Sequence, residues 1–372
     1  MTGFACFRLP HANRYTVITQ TEGLPAELNS CESLDGQQGF VFAPFTISEQ
    51  SPLILIRPDR TETYEVTADT PQAEDDSLIP LFSVTARQEE PGIPDERRRY
   101  TIDFANFHAQ LSSGTFRKIV LARTCHIGFK GTANARQLFL KACRAYPRMF
   151  IALVSTPQTG TWLMATPEKL IDQDGDTWQT VALAGTMELT AEQQDFDNPP
   201  GNADGNQLHW SDKNREEQHH VSTYITECLE HFTADFSKTG PYTARAGNLV
   251  HLRTDFHFSL PDNRHIGQIV ATLHPTPAVC GLPMQEARAF ILHNESEPRG
   301  YYSGFAGPLS LPIPGTAQQD ETHLYVSLRC MQILPQEFVL HAGGGLMPGS
   351  REEQEWEETE AKMNTMKSLI LP

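Results

Sequence analysis

One local pattern constrains this chain most. Short apolar or β-branched runs recur, each closed off by Pro, Gly or Asn. RYTVITQ, GFVFAPF, SPLILIRP and ETYEVT supply such runs within residues 1–70. Runs of that length and chemistry favour strands. Further on, strands are predicted over Lys118–His126, Phe150–Ser155, Trp162–Thr166, 249–259, 301–309, 322–333 and 337–341. Between them the apolar period lengthens, which predicts helices over Ile102–Leu111, Ala133–Tyr146, Ser211–Phe236, 264–272 and 284–293. Asp172–Gly175 reads as a turn into the strand TWQTVALAG, and residues 195–205 as a loop. Residues 70–98, rich in Pro and charge, read as a linker or a long surface excursion. Hairpin-spaced strands punctuated by helices predict an α+β fold with antiparallel sheet.

Charge narrows the range of partners. The net charge of −17 disfavours nucleic acid and anionic membrane, which both select basic surfaces. A small anionic substrate remains compatible, provided that cations are supplied locally. The start, MTGFACFRLPHANRY, has no basic stretch followed by an apolar run, so no signal peptide is expected. No uninterrupted apolar run reaches the ~20 residues that span a bilayer. Seven cysteines are scattered with no CxxC pair, which predicts reduced thiols and a cytoplasmic protein.

Chemistry concentrates near the C-terminus. Glu355, Glu358 and Lys362 lie at i, i+3 and i+7, on one face of a predicted helix. Ala342-Gly343-Gly344-Gly345 precedes them, a ribbon where backbone can approach a ligand unobstructed. Two carboxylates and an ammonium beside bare glycine suit a metal ion with a small anion, although a solvated acidic helix would show the same pattern.

Other candidates are scattered along the chain. Lys118 opens a strongly apolar strand, where lysine is rare without a partner or a task. Desolvation lowers a lysine toward the range of a general base, and moving it from ~10.4 to ~7.5 takes about 4 kcal/mol. A strand-end lysine reaching solvent is the alternative. Glu168 follows a strand and a Pro turn, where it is either a general acid or a surface residue. Thr186 ends the strand ALAGT, with a hydroxyl and backbone N–H able to hold a carboxylate. Ser211 is a candidate N-cap, and Glu217 in the following turns can pair with Glu358 around a hard cation. The adjacent His219 and His220 lack any zinc spacing. His274 stands at the entrance of the proline-stiffened loop HPTPAVCGLP, a suitable wall for a site. Arg329 sits inside an apolar strand, where it needs an anion.

Taken in order, KIVLAR, TPEKL, LAGT, SDKNREEQHHV, HPTPAVCGLP, RGYYSGFAG, SLR, HAGGGLMPGS and EWEETEAKM resemble the chorismate-utilising enzymes. That family includes isochorismate, salicylate, anthranilate and aminodeoxychorismate synthases. The resemblance spans roughly residues 100–372, while the first part matches only in its strand-rich character. It implies one chorismate-binding domain with large antiparallel sheets flanked by helices around a central site. Residues 1–98 would form a strand-rich N-terminal part, and 99–372 the catalytic core. Lys118 stands where water-adding members carry a lysine base, and Ala184 where aminodeoxychorismate synthases carry a lysine.

The implied activity is that of an isochorismate synthase: Mg²⁺-dependent addition of water at C2 of chorismate with loss of the C4 hydroxyl, serving menaquinone or siderophore synthesis. The alternatives are a salicylate synthase, which also eliminates pyruvate, and a non-catalytic chorismate-binding module. By resemblance Lys118 is the base and Glu168 the acid. Thr186, His274, Arg329, Gly343 and Lys362 bind substrate, and Glu217 and Glu358, with Glu355 nearby, hold Mg²⁺. No glutaminase subunit is expected. Departures from the family pattern are Asn214 for an aspartate, Gln218 for a histidine and Gly344 for an alanine.

Overall fold

The computed structural model describes residues 2–66, 93–129, 133–188, 208–246, 249–260, 265–313 and 320–370. In chain order the strands are β1 (Gly3–Arg8), β2 (Arg14–Gln20), β3 (Ala26–Leu28), β4 (Gly39–Ala43), β5 (Leu53–Ile56), β6 (Arg60–Glu65), β7 (Lys118–Gly128), β8 (Phe150–Thr156) and β9 (Gly160–Thr166). There follow β10 (Lys169–Asp174), β11 (Thr177–Glu188), β12 (Phe236–Ala246), β13 (Leu249–Ser259), β14 (Gly281–Leu282), β15 (Phe305–Leu309), β16 (His323–Val326), β17 (Cys330–Ile333) and β18 (Glu337–Leu346). The helices are α1 (Ile93–Ser112), α2 (Ala135–Ala145), α3 (Asp212–Glu230), α4 (Ile266–Leu273), α5 (Met284–Asn294) and α6 (Glu352–Ile370).

Two nine-stranded sheets result, ordered β14-β7-β18-β17-β9-β8-β1-β2-β6 and β12-β13-β11-β10-β16-β15-β4-β5-β3. Pairing within both is antiparallel, so the predicted α+β class holds. The N-terminal strands complete both sheets: β1 pairs with β8, and β4 with β15.

The apolar runs follow from burial on both faces. Successive strand residues point to opposite sides. In β8, Phe150, Ala152 and Val154 face the second sheet, while Ile151 and Leu153 face helices α2 and α6. In β4, Phe40 and Phe42 pack between the sheets, and Val41 and Ala43 lie in the layer that contains α3 and α4. Helices α1 and α5 cover β7 through Phe104, Phe107, Ala287 and Ile291. A strand with no wet face needs no polar alternation, hence the unbroken apolar wording.

Several sequence readings change. Residues 93–98 belong to α1 rather than to a linker, and the rest of that segment lies outside the described residues, as do residues 195–205. The early turns of α1 are polar because Arg97 pairs with Glu352 and Glu353, and Arg99 with Asp95, on an exposed face. Asp172 and Asp174 lie within β10, not in a turn, because Asp172 is buried against His323. The strand predicted over 322–333 is two strands in different sheets. Ser327-Leu328-Arg329 crosses between them, with Arg329 at φ +46°. Helix α3 ends at Glu230, and β12 begins where the helix was predicted to finish. The strand predicted over 337–341 runs on through the glycine ribbon, which is the final part of β18.

Candidate active site

The register of β18 on β7 sets Gly343 opposite Ala122, Gly344 opposite Leu121 and Gly345 opposite Val120. A cleft opens beside this ladder. Its walls include Val120, Gly343 and Gly345 from the first sheet, and Leu183, Ala184 and Thr186 from the second. The crossover contributes Arg329 and α6 contributes Lys362; Glu168 and Glu217 face the same space. The glycines are needed for clearance. A Cβ on Gly345 would lie 2.1 Å from Glu217 Oε1 and 2.9 Å from Lys118 Cε, and one on Gly343 would lie 2.8 Å from the Tyr302 hydroxyl oxygen.

Glu168 sits between β9 and β10 with its side chain buried. Its Oε1 accepts a long hydrogen bond from Thr276 Oγ1 at 3.4 Å. Burial pushes its pKa up to about 7, against the opposing pull of Lys118, Thr276, Arg329 and Lys362. The carboxyl is therefore poised to donate a proton near neutrality.

Lys118 is fully buried at the start of β7 and stands behind the Glu217 carboxylate rather than on the cleft wall. Its Nζ lies 2.9 Å from Glu217 Oε1, off the direction of a good hydrogen bond, so the contact is ionic. The alternative of a strand-end lysine reaching solvent is thus excluded: Lys118 is buried with a carboxylate beside it. For Glu217, burial works against ionisation, but Lys118, Lys213 and Lys362 outweigh it and hold the group below the usual carboxylate range. A β-bulge at Gly185, φ +73°, turns a backbone N–H onto Glu217 Oε2 at 3.2 Å. A backbone N–H at this strand end therefore holds a protein carboxylate, and it is that of Gly185. Ser211 caps α3 as expected, accepting from Asn214 N at 3.2 Å.

Each acidic candidate is answered by a lysine: Glu217 by Lys118, Glu355 by Lys213, and Glu358 by Lys362 at 2.7 Å. Among the described residues no three Asp, Glu, His or Cys side chains converge closely enough to ligate one ion as they stand. The donor set nevertheless suits a hard cation. A Cβ on Gly344 would fall 3.3 Å from Glu355 Oε2 and 3.9 Å from Glu358 Oε1, so the missing side chain leaves a cradle flanked by oxygens. Glu355 Oε2 is buried without a hydrogen-bond partner. Burial first, then the Glu358 charge, raise the Glu355 pKa. Oxygen-only donors with an unsatisfied carboxylate favour Mg²⁺ over softer metals.

Arg329 is buried, and its Nη1 has no partner. Burial pushes its pKa down to about 10. An orphaned buried donor costs roughly 1–3 kcal/mol, which an anionic ligand would recover. Its Nη2 lies 2.6 Å from His251 Nε2. Arginine only donates, so His251 carries its proton on Nδ1, within 3.3 Å of Gly185 O and of Thr186 Oγ1. Burial, then the Arg329 charge, keep His251 neutral, with a pKa well below that of a free imidazole. His341 also lines the cleft and stacks on Tyr302 at 5.6 Å; burial pushes its pKa down to about 3.

Of the predicted residues, Glu168, Thr186, Glu217, Arg329, Gly343 and Lys362 meet on the cleft. Lys118 lies behind it, while Glu355 and Glu358 approach Gly344. His274 is not on the cleft. Its Nε2 lies 3.2 Å from Pro44 O, and its ring packs edge-on against Phe305, because the loop turns Ala278 and Val279 toward the cleft instead. His251 and His341 are the residues that sequence reading missed. The direct pairing of Thr186 with His251 is set by the β11–β13 register, which no spacing in the sequence reveals.

The sequence model of the family described as chorismate binding enzyme matches residues 61–371. The chain belongs to the chorismate-binding enzyme family. It is 32% identical over 265 residues to isochorismate synthase MenF of Escherichia coli K12, covering 70% of this chain and 57% of that protein. It is 28% identical over 254 residues to isochorismate synthase EntC of the same organism, covering 68% and 62% respectively. The chain thus matches less than two thirds of the length of either relative. Its fold is shared with the solved structure of Escherichia coli MenF, at a TM-score of 0.75 and 24% identity, over 99% of this chain and 88% of that one.

Proposed function

We propose that the protein is an isochorismate synthase. The observation that carries this reading is Glu168: a buried carboxyl, raised to about 7, on a cleft whose other walls carry Arg329 and Lys362. Chorismate is a dianion, and those two cations give its carboxylates partners. Lys118, once it has given the proton of its ion pair to solvent, takes a proton from water as the water oxygen bonds to C2. The ring double bonds shift, the C4–O bond breaks, and Glu168 protonates the departing oxygen. Lys118 gains one proton and Glu168 loses one, and exchange with solvent restores both. His251 fixes the Arg329 guanidinium, and Gly185 N–H fixes Glu217.

Glu217, Glu355 and Glu358 would hold Mg²⁺, which supplies positive charge for a substrate carboxylate. The lysines that now answer these carboxylates keep the acidic groups from repelling one another. The relatives MenF and EntC, both isochorismate synthases, support the reaction class, and the product would serve menaquinone or siderophore synthesis.

A second reading is favoured by Tyr302 and Leu328, which both line the cleft. They match residue types that lyase members tend to carry, and pyruvate elimination would make the product salicylate. Product analysis by chromatography separates the readings. With chorismate and Mg²⁺ the expected product is isochorismate alone, and chelation of the metal should abolish its formation. Salicylate with pyruvate establishes the second reading. Tight chorismate binding without turnover makes the chain a non-catalytic module.

A further inference from the structure

A larger cavity, of about 330 Å³, lies on the other side of α3. That volume falls in the range of small-molecule sites, roughly 300–1,000 Å³. The two cavities share the helix as a wall: Glu217 faces the catalytic cleft and Gln218 the second space. Arg215, Gln218, His219 and Ser222 follow the i, i+3, i+4, i+7 spacing of one helical face, and all line it. Lys238 approaches from β12. Among the described residues none of the lining side chains is acidic, although the whole chain carries a net charge of −17. The mouth is cationic, with Arg215 and Lys238 both exposed. Trp210 and Leu252 supply an apolar wall.

The floor carries unsatisfied polar atoms. Gln218 is 2% exposed; its Nε2 donates to Ala182 O at 3.1 Å and to Thr254 Oγ1 at 2.9 Å. Its Oε1 has no partner, nor does the buried Ser222 Oγ. A buried amide oxygen with a free lone pair calls for a donor. We propose that this cavity is a second ligand site, for a small hydroxylated ring carboxylate. The carboxylate meets Arg215 and Lys238, the ring lies against Trp210 and Leu252, and the hydroxyl donates to Gln218 Oε1.

The proposal does not depend on the assigned reaction, because its test reads binding. The probe is 4-hydroxybenzoate, titrated calorimetrically into the full chain, with benzoate and inorganic phosphate as controls. Saturable binding of 4-hydroxybenzoate is expected, at least fivefold tighter than benzoate, which lacks the hydroxyl. Arg215→Glu and Lys238→Glu should each weaken it tenfold or more; both positions are exposed, and thermal melting checks that the variants fold. Arg329→Ala, or Lys362→Ala if the first is unfolded, should leave it within twofold. Absence of binding overturns the proposal, as does phosphate binding more tightly than the probe. Binding that is lost in the Arg329 or Lys362 variant but kept in the rim variants also overturns it, by placing the probe in the catalytic cleft.

Discussion

Glu168 shows how burial makes a reagent from an ordinary carboxylic acid. Its pKa of about 7 is set first by desolvation, and the nearby cations only moderate it. A proton donor must be protonated to work, so kcat should show an alkaline limb, falling as pH rises through about 7. Glu168→Gln should lose this alkaline limb and reduce kcat by about 10²–10⁴-fold, the usual share of general acid catalysis. Steady-state rates across pH 5.5–9 check both, and an unchanged limb in the variant removes Glu168 from the acid role. At this scale the sequence was informative about identity and weak about setting. Lys118 stood out as a lysine on an apolar strand, but its partner Glu217 lies about a hundred residues away in the chain, and nothing local records that pairing. His274 looked like a wall because prolines stiffen its loop; stiffness does not fix which way a ring points.

At the scale of elements, β18 and α6 illustrate a division of labour. The strand brings backbone without side chains to the point where Glu217, Glu355 and Glu358 approach, and the helix supplies Lys362. Glu217 Oε1 is restrained by Lys118, and its other oxygen by Gly185 N–H, so it cannot retreat freely from an added methyl group. Gly345→Ala should therefore lower turnover by at least 100-fold and weaken Mg²⁺ binding measured by calorimetry. Far-UV circular dichroism should be unchanged, because alanine suits a strand position without positive φ. Near wild-type turnover in this variant would show that Glu217 has another place to go. The ribbon was legible as a place of close approach, but not as strand, since three consecutive glycines carry no strand signal. Pairing against Val120–Ala122 makes them strand.

For the molecule as a whole, the two sheets hold together through apolar layers, while buried charges tie neighbouring strands within a sheet. His323 on β16 lies between Asp172 on β10, at 2.6 Å from Nδ1, and Glu321, at 2.8 Å from Nε2. Two acceptors on one ring require an imidazolium. Burial alone would lower its pKa, but Asp172 and Glu321 outweigh burial and hold it above the ordinary value. A raised pKa in the folded state gives stability that is complete below about pH 6.5 and lost as pH rises through the folded value. His323→Gln should therefore cost about 3–5 kcal/mol at pH 6, as expected for a broken buried ion pair. The gap to the wild type should shrink toward pH 9, measured by urea unfolding. A gap that stays constant with pH would mean that the ring is neutral throughout.

The sequence alone determined the strand and helix character of most segments, the cap at Ser211, and the residue types from which an anion site could be assembled. These follow from local periodicity and from the cost of burying charge. The tertiary structure decided which segments meet. It split residues 322–333 between two sheets and so delivered Arg329 to the cleft, set Thr186 beside His251, and turned His274 away. Alternation along a strand fixes which side chains share a face. It does not name the neighbouring strand, because that choice is made by the packing of whole apolar layers against one another.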